Sequence, residues 1–292
     1  MNKKKVVMYI MNHKSLFKSE VGKDAILDNY NQLLAKCSVP YEELFLDTHY
    51  GKTYVITSGE LSSPPLILLH GSGSNSSMWI RDIEQYSKHY RVFAVDIPGD
   101  PGKSEEKQYS LRGQAYSEWM DDVLHALQLD KASFIGISLG AWMAIHFAVK
   151  HPMKVEKIVL ISASGIGPQK ISFLFKAMPL LLLGEKGRDK VSRLVYGNQT
   201  IPKEASDNVK IIARHFYFRN ESVPIFTDSE LSSLTMPILL IAGEKDVMLD
   251  SRKTIDRLSS LLPDANVKLL PDHGHVIINQ TTHILPFLFN GY

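Results

Sequence analysis

In Gly136-Ile137-Ser138-Leu139-Gly140 a serine lies between two glycines, each two residues away. A serine hydroxyl acts as a nucleophile only when a base takes its proton and when it stands clear of the backbone. A sharp strand-to-helix turn lifts it clear, and flanking glycines remove the side chains that would collide in that turn. The apolar run Ser133 to Ile137 precedes the motif, and a helical segment from Leu139 to His151 follows it. Taken alone, Ser138 also fits an ordinary helix N-cap. Its surroundings and its partners favour the nucleophile.

Attack on a carbonyl develops negative charge on oxygen, which preorganised backbone N–H groups can hold. Leu139, next after the nucleophile at a helix N-terminus, would supply one. Ser72, in His70-Gly71-Ser72-Gly73 directly after the run Pro65 to Leu69, would supply the other. The competing readings of that loop are a flexible turn or a phosphate cradle. The second is poorer, because neither G-x-G-x-x-G nor a Walker lysine is present. Asp246, in Gly243-Glu244-Lys245-Asp246, and His275, in Gly274-His275, each follow the end of a further apolar run. They are the candidate acid and base, with Asp272 and His273 as local rivals. A zinc site at His273 and His275 lacks further ligands at suitable spacing, so neither metal nor cofactor is expected. Trp79 and Trp142-Met143-Ala144-Ile145 read as core packing.

These residues need a scaffold that brings several strand ends together. Glu43 to Thr48 and Thr53 to Ser58 flank Tyr50-Gly51 as a hairpin. Short, nearly continuous apolar runs then recur at Pro65–Leu69, Val92–Val95, Ser133–Ile137, Lys157–Ile161, Pro237–Ala242 and Val267–Leu270. Such runs are expected of strands covered on both faces. The helical segments between them, Ser76–Lys88, Ser110–Leu129, Leu139–His151 and Ser251–Leu261, predict an α/β architecture: a mostly parallel, eight-stranded sheet with helices on both faces. Residues 1–40 form an N-terminal extension with a helix over 20–36. Residues 41–165 and 235–292 form the core. Residues 166–234 hold helical stretches without a buried strand, and are expected to form a cap over the sheet's carboxyl edge, where open parallel sheets bind ligands. The apolar stretch Ile171 to Leu183 is expected to pack that cap on the core, with part of its surface facing the cleft as an acyl pocket.

Composition narrows the partners. Hydrophobic residues make up 44% and charged residues 22% of the 292, as in ordinary globular chains. A formal net charge of +2, without clustering except at Lys3-Lys4-Lys5, does not point to nucleic acid or an anionic membrane. Cys37 is the only cysteine, which fits a reducing compartment. The run Val6 to Met11 is short for a signal sequence and no cleavage site follows. The Ile171–Leu183 stretch is too short to span a bilayer. A cytoplasmic location is expected.

The motifs quoted above, with Asp96-Ile97-Pro98-Gly99-Asp100-Pro101-Gly102-Lys103-Ser104, resemble in order and spacing the α/β-hydrolase superfamily from about Tyr41 onward. The chain order Ser, Asp, His is the one found there. Residues 45–59, the Asp96 loop and residues 226–246 are similar to Bacillus carboxylesterases of the naproxen-esterase type. The resemblance implies ester hydrolysis by a Ser138/Asp246/His275 triad without a cofactor. Ala141 stands where many relatives have a further glycine, and the cap matches only loosely. Two alternatives accompany that reading: a carbon–carbon bond hydrolase of aromatic degradation, and a ligand-binding homologue without turnover. Dehalogenase and epoxide hydrolase chemistry would need an aspartate at position 138.

Overall fold

A computed structural model describes residues 15–170 and 172–289. The Lys3–Lys5 cluster, the Val6–Met11 run and Ile171 lie outside the described residues.

The eight apolar or alternating runs form one sheet. Strands β1 (Glu42–Thr48), β2 (Gly51–Ser58), β3 (Pro65–Leu69), β4 (Arg91–Val95), β5 (Ala132–Ile137), β6 (Val155–Ile161), β7 (Ile238–Gly243) and β8 (Asn266–Leu270) are ordered β1-β2-β4-β3-β5-β6-β7-β8. β1 pairs antiparallel with β2, and β2 antiparallel with β4; every other neighbouring pair is parallel. In register, Leu69 stands opposite Val95 on one side and Gly136 on the other, so the carboxyl ends of β3, β4 and β5 reach one edge together.

Alternation along the strands splits the core in two. Ile67, Leu69, Val95, Phe134 and Leu160 point to the face covered by Ala115–Ala126 and Leu139–Lys150, where Trp119 and Trp142 are buried. Leu66, Leu68, Ile135, Val159 and Ile241 point to the other face, which buries Tyr30, Trp79 and Leu288. At about 25 cal/mol per Å² of apolar surface removed from water, these two layers are the main source of stability.

The segment Ser110–Leu129 departs from its expected span, because the helix begins only at Ala115. The Glu221 carboxylate accepts from Ser110 Oγ and from the Leu111 amide, both at 2.8 Å, which holds those residues in a turn. The N-terminal helix Glu20–Leu34 is capped by Ser19, whose Oγ accepts from the Gly22 amide. Its Tyr30 and Leu34 enter the sheet core, whereas Ile26 joins Phe17, Ile212 and Phe216 in a small separate cluster. The helix therefore grips both the sheet and the insertion.

Among the described residues, four helices run between β6 and β7: Ser172–Leu181, Gly184–Tyr196, Lys203–His215 and Asp228–Ser232. The apolar stretch that runs through the first of them and the turn after it is largely turned outward, with Phe173 and Leu180 half-buried. Ala177 is buried, but Phe175, Met178, Leu182 and Leu183 are exposed. A two-sided apolar sequence leaves open which side packs, and here the small residue faces inward. No described helix is long and apolar enough to cross a membrane.

Candidate active site

The site is built on the turn from β5 into the helix Leu139–Lys150. Ser138 adopts φ 52° and ψ −107°, a conformation that costs a non-glycine residue about 1–3 kcal/mol. Hydrogen bonds hold it there: the Ser138 amide donates to Ile161 O at 2.9 Å, and the Trp142 amide donates to Ser138 O at 3.0 Å. The flanking glycines have a steric reason. A Cβ on Gly136 would come 2.4 Å from Gly140 O, and one on Gly140 would come 2.3 Å from Leu69 O. Because both obstacles are backbone, Gly140→Ala should cost about 1–3 kcal/mol or more through overpacking. Urea denaturation would measure this, and an unchanged midpoint would contradict the geometry.

Ser138 Oγ lies 2.9 Å from Nε2 of His275, whose Nδ1 lies 2.8 Å from Oδ2 of Asp246. Asp246 and His275 are both buried, while Ser138 is partly open. The turn after β7 directs Asp246 Oδ1 onto the amides of Met248 and Leu249, at 2.7 and 2.9 Å. Both carboxylate oxygens are thus occupied and the group cannot swing. From the insertion, Lys170 Nζ donates to the Asp246 carbonyl at 2.7 Å. The rivals stand apart. Asp272 pairs with Lys245 at 2.8 Å. His273 buries its Nδ1 without a partner, and that burial pushes its pKa down.

The His70–Gly73 loop is set against the nucleophile: a Cβ on Gly71 would lie 3.8 Å from Ser138 Cβ. His70 is fully buried. Its Nε2 accepts from the Ile97 amide at 2.9 Å, so the proton sits on Nδ1 and is donated to Gly71 O, also at 2.9 Å. Gly73 donates its amide to Asp100 Oδ1 at 2.7 Å. The Ser72 amide makes no hydrogen bond among the described residues. Leu139, as the first residue of its helix, has an amide without an intrahelical partner. Neither amide has a hydrogen-bond partner among the described residues.

Three contacts carried no signal in the sequence. Ser164 Oγ stands 3.4 Å from Ser138 Oγ. Asp100 supports the Ser72 loop from a buried position; burial pushes its carboxyl up, and its Oδ2 has no partner. The third is backbone alone. Val195 O, in the insertion, accepts from the His275 amide at 2.7 Å, and Tyr196 O accepts from the Gly274 amide at 3.2 Å.

A serine on a strand-to-helix turn, in hydrogen-bond reach of a buried His–Asp pair on a mostly parallel sheet, is a serine hydrolase architecture, and the chain belongs to the alpha/beta hydrolase family, matched over residues 66–283. Among its relatives is the uncharacterized carboxylesterase nap of Bacillus subtilis (strain 168), 31% identical over 271 residues, which are 87% of this chain and 88% of the relative. The crystal structure of carboxylesterase CesB (YbfK) from Bacillus subtilis superposes with a TM-score of 0.82 at 27% identity, covering 93% of this chain and 99% of that one. Naproxen esterase (carboxylesterase NP) from Bacillus subtilis gives a TM-score of 0.79 at 29% identity, over 91% and 97% of the two chains. These matches show the resemblance to Bacillus carboxylesterases read from residues 45–59 and 226–246.

Proposed function

We propose that this chain is a carboxylesterase that cleaves small apolar esters through an acyl-enzyme on Ser138. The observation that carries the proposal is the continuous Ser138–His275–Asp246 hydrogen-bond chain, at 2.9 and 2.8 Å. His275 Nε2 takes the Ser138 proton as Oγ attacks the carbonyl carbon. The Ser72 and Leu139 amides receive the charge on the carbonyl oxygen. Collapse breaks the bond to the alkoxy oxygen, which leaves as the alcohol with the proton from His275. Water, deprotonated by the same imidazole, then attacks the acyl carbon, and its proton returns to Ser138 as the acid departs. Asp246 orients the imidazole throughout and stabilises its charged form. No cofactor or metal enters this scheme.

Residues 166–234 act in this reading as a cap on a core of residues 41–165 and 235–292, with residues 1–40 as an N-terminal extension whose helix Glu20–Leu34 packs on both. Location in the cytoplasm fits the single cysteine. A carbon–carbon bond hydrolase would share the triad, but the carboxylesterase relatives favour esters, as they do over a binding homologue without turnover.

A panel of nitrophenyl esters tests the assignment, with Ser138→Ala as control. The enzyme should hydrolyse several members and trap an acyl mass on Ser138 with slow-deacylating esters. Inert esters together with rapid turnover of a dienone would overturn it.

A further inference from the structure

The clearest feature outside the site is a two-helix corner of the insertion. Phe175 and Met178 lie three residues apart on one face of the helix Ser172–Leu181, and Leu182 follows four residues on, in the turn that ends it. They are 76%, 67% and 88% exposed, and Leu183 beside them is 59% exposed. Pro179 is exposed between them. Single exposed apolar residues are ordinary, but a contiguous set on one face marks an interaction surface.

What the face fits is indicated by its neighbour. The chain turns at Leu182–Leu183 and enters the helix Gly184–Tyr196, which carries Lys186, Lys190 and Arg193 at separations of four and three, all exposed. Asp189, an acid of that helix, is engaged by Lys210 at 2.9 Å. An apolar stripe thus runs through a tight turn into a cationic one. The chain's net charge of only +2 makes the stripe a local feature and not a general property of its surface. A second copy would cover the apolar residues only by bringing an identical cationic stripe alongside the first. An anionic lipid surface meets both needs. Phe, Met and Leu side chains enter the boundary between headgroups and acyl chains, while Lys and Arg pair with headgroup phosphates.

We propose that the corner formed by Phe175, Met178, Leu182 and Leu183 with Lys186, Lys190 and Arg193 docks the protein reversibly on anionic lipid surfaces. The proposal rests on this surface and not on the esterase reading.

Sedimentation with vesicles tests it. One set of vesicles is phosphatidylcholine alone; the other has one third replaced by phosphatidylglycerol. The full chain should bind the phosphatidylglycerol vesicles at least about tenfold more tightly, with binding weakened by added salt. Phe175→Ser/Leu182→Ser and Lys186→Glu/Lys190→Glu should each reduce that binding by about tenfold or more, while hydrolysis of a soluble nitrophenyl ester and the circular dichroism stay unchanged. Equal partition of the unaltered protein with and without phosphatidylglycerol would overturn the proposal. So would a dimer in size-exclusion chromatography that Phe175→Ser/Leu182→Ser converts to monomer, since a second copy would then cover the face.

Discussion

Ser138→Ala should lower kcat by about a million-fold, and His275→Ala should do nearly the same. Nucleophile and base act as one unit, joined at 2.9 Å, so losing either removes the whole proton-coupled attack. The residual rate should come from the Ser72 and Leu139 amides, which would still stabilise a carbonyl attacked directly by water. Ser138→Ala should denature at the same urea concentration as the parent, since it removes one partly open hydroxyl; His275→Ala should denature at a lower one, because it leaves the buried Asp246 Oδ2 without its partner. His273→Ala is the informative companion. Its ring has no hydrogen bond to either partner of His275 among the described residues, so activity should stay within about threefold of the parent, in line with a substitution that touches no reacting group. An active His275→Ala protein paired with an inactive His273→Ala protein would reassign the base.

Asp246→Asn should lower kcat by about ten-thousand-fold while leaving the backbone in place. The loss arises from hydrogen-bond direction. Asp246 Oδ1 accepts from the Met248 and Leu249 amides, so an asparagine would turn its carbonyl oxygen to those donors. Its NH2 would then face His275 Nδ1, where the carboxylate had accepted at 2.8 Å. A donor at that position requires Nδ1 to accept, which leaves the ring proton on Nε2. Nε2 is the atom that must receive the Ser138 proton, so the imidazole would be held in the wrong tautomer. Steady-state kinetics on one nitrophenyl ester would measure the effect. Activity within tenfold of the parent would mean that another carboxylate orients the ring.

Much of the scaffold was legible because buried parallel strands have little freedom in composition. Leu66 to Leu69 and Ile158 to Ile161 must be apolar on successive positions, since helices cover both faces of the sheet. The elbow glycines were legible for a related reason: backbone oxygens within 2.4 Å of a would-be Cβ admit nothing larger. The turn at Ser110–Gln114 was not, because it depends on Glu221, more than a hundred residues away. The outward face of Ser172–Leu181 was not legible either. Helical spacing identifies stripes, but two apolar stripes on one helix do not reveal which of them packs. Within the site, Ser138, Asp246 and His275 could be read from their places after strand ends. The hydrogen bond between the His275 amide and Val195 O could not, since a carbonyl is common to every residue and leaves no mark in the sequence.

That last bond bears on how such enzymes can be recombined. The residue before the base is pinned as well: a Cβ on Gly274 would come 2.3 Å from Val195 O, and one on Gly197 would come 2.6 Å from the Gly274 amide. Grafting a foreign insertion between β6 and β7 to change substrate preference would therefore replace the acceptor that aligns the histidine loop. A chimera would inherit the nucleophile elbow and the acid turn intact, yet receive its base at an angle set by the donor's backbone. Successful exchanges should move Val195–Gly197 and Asp272–Val276 together, as a single splice unit, although about seventy-five residues separate them in the chain.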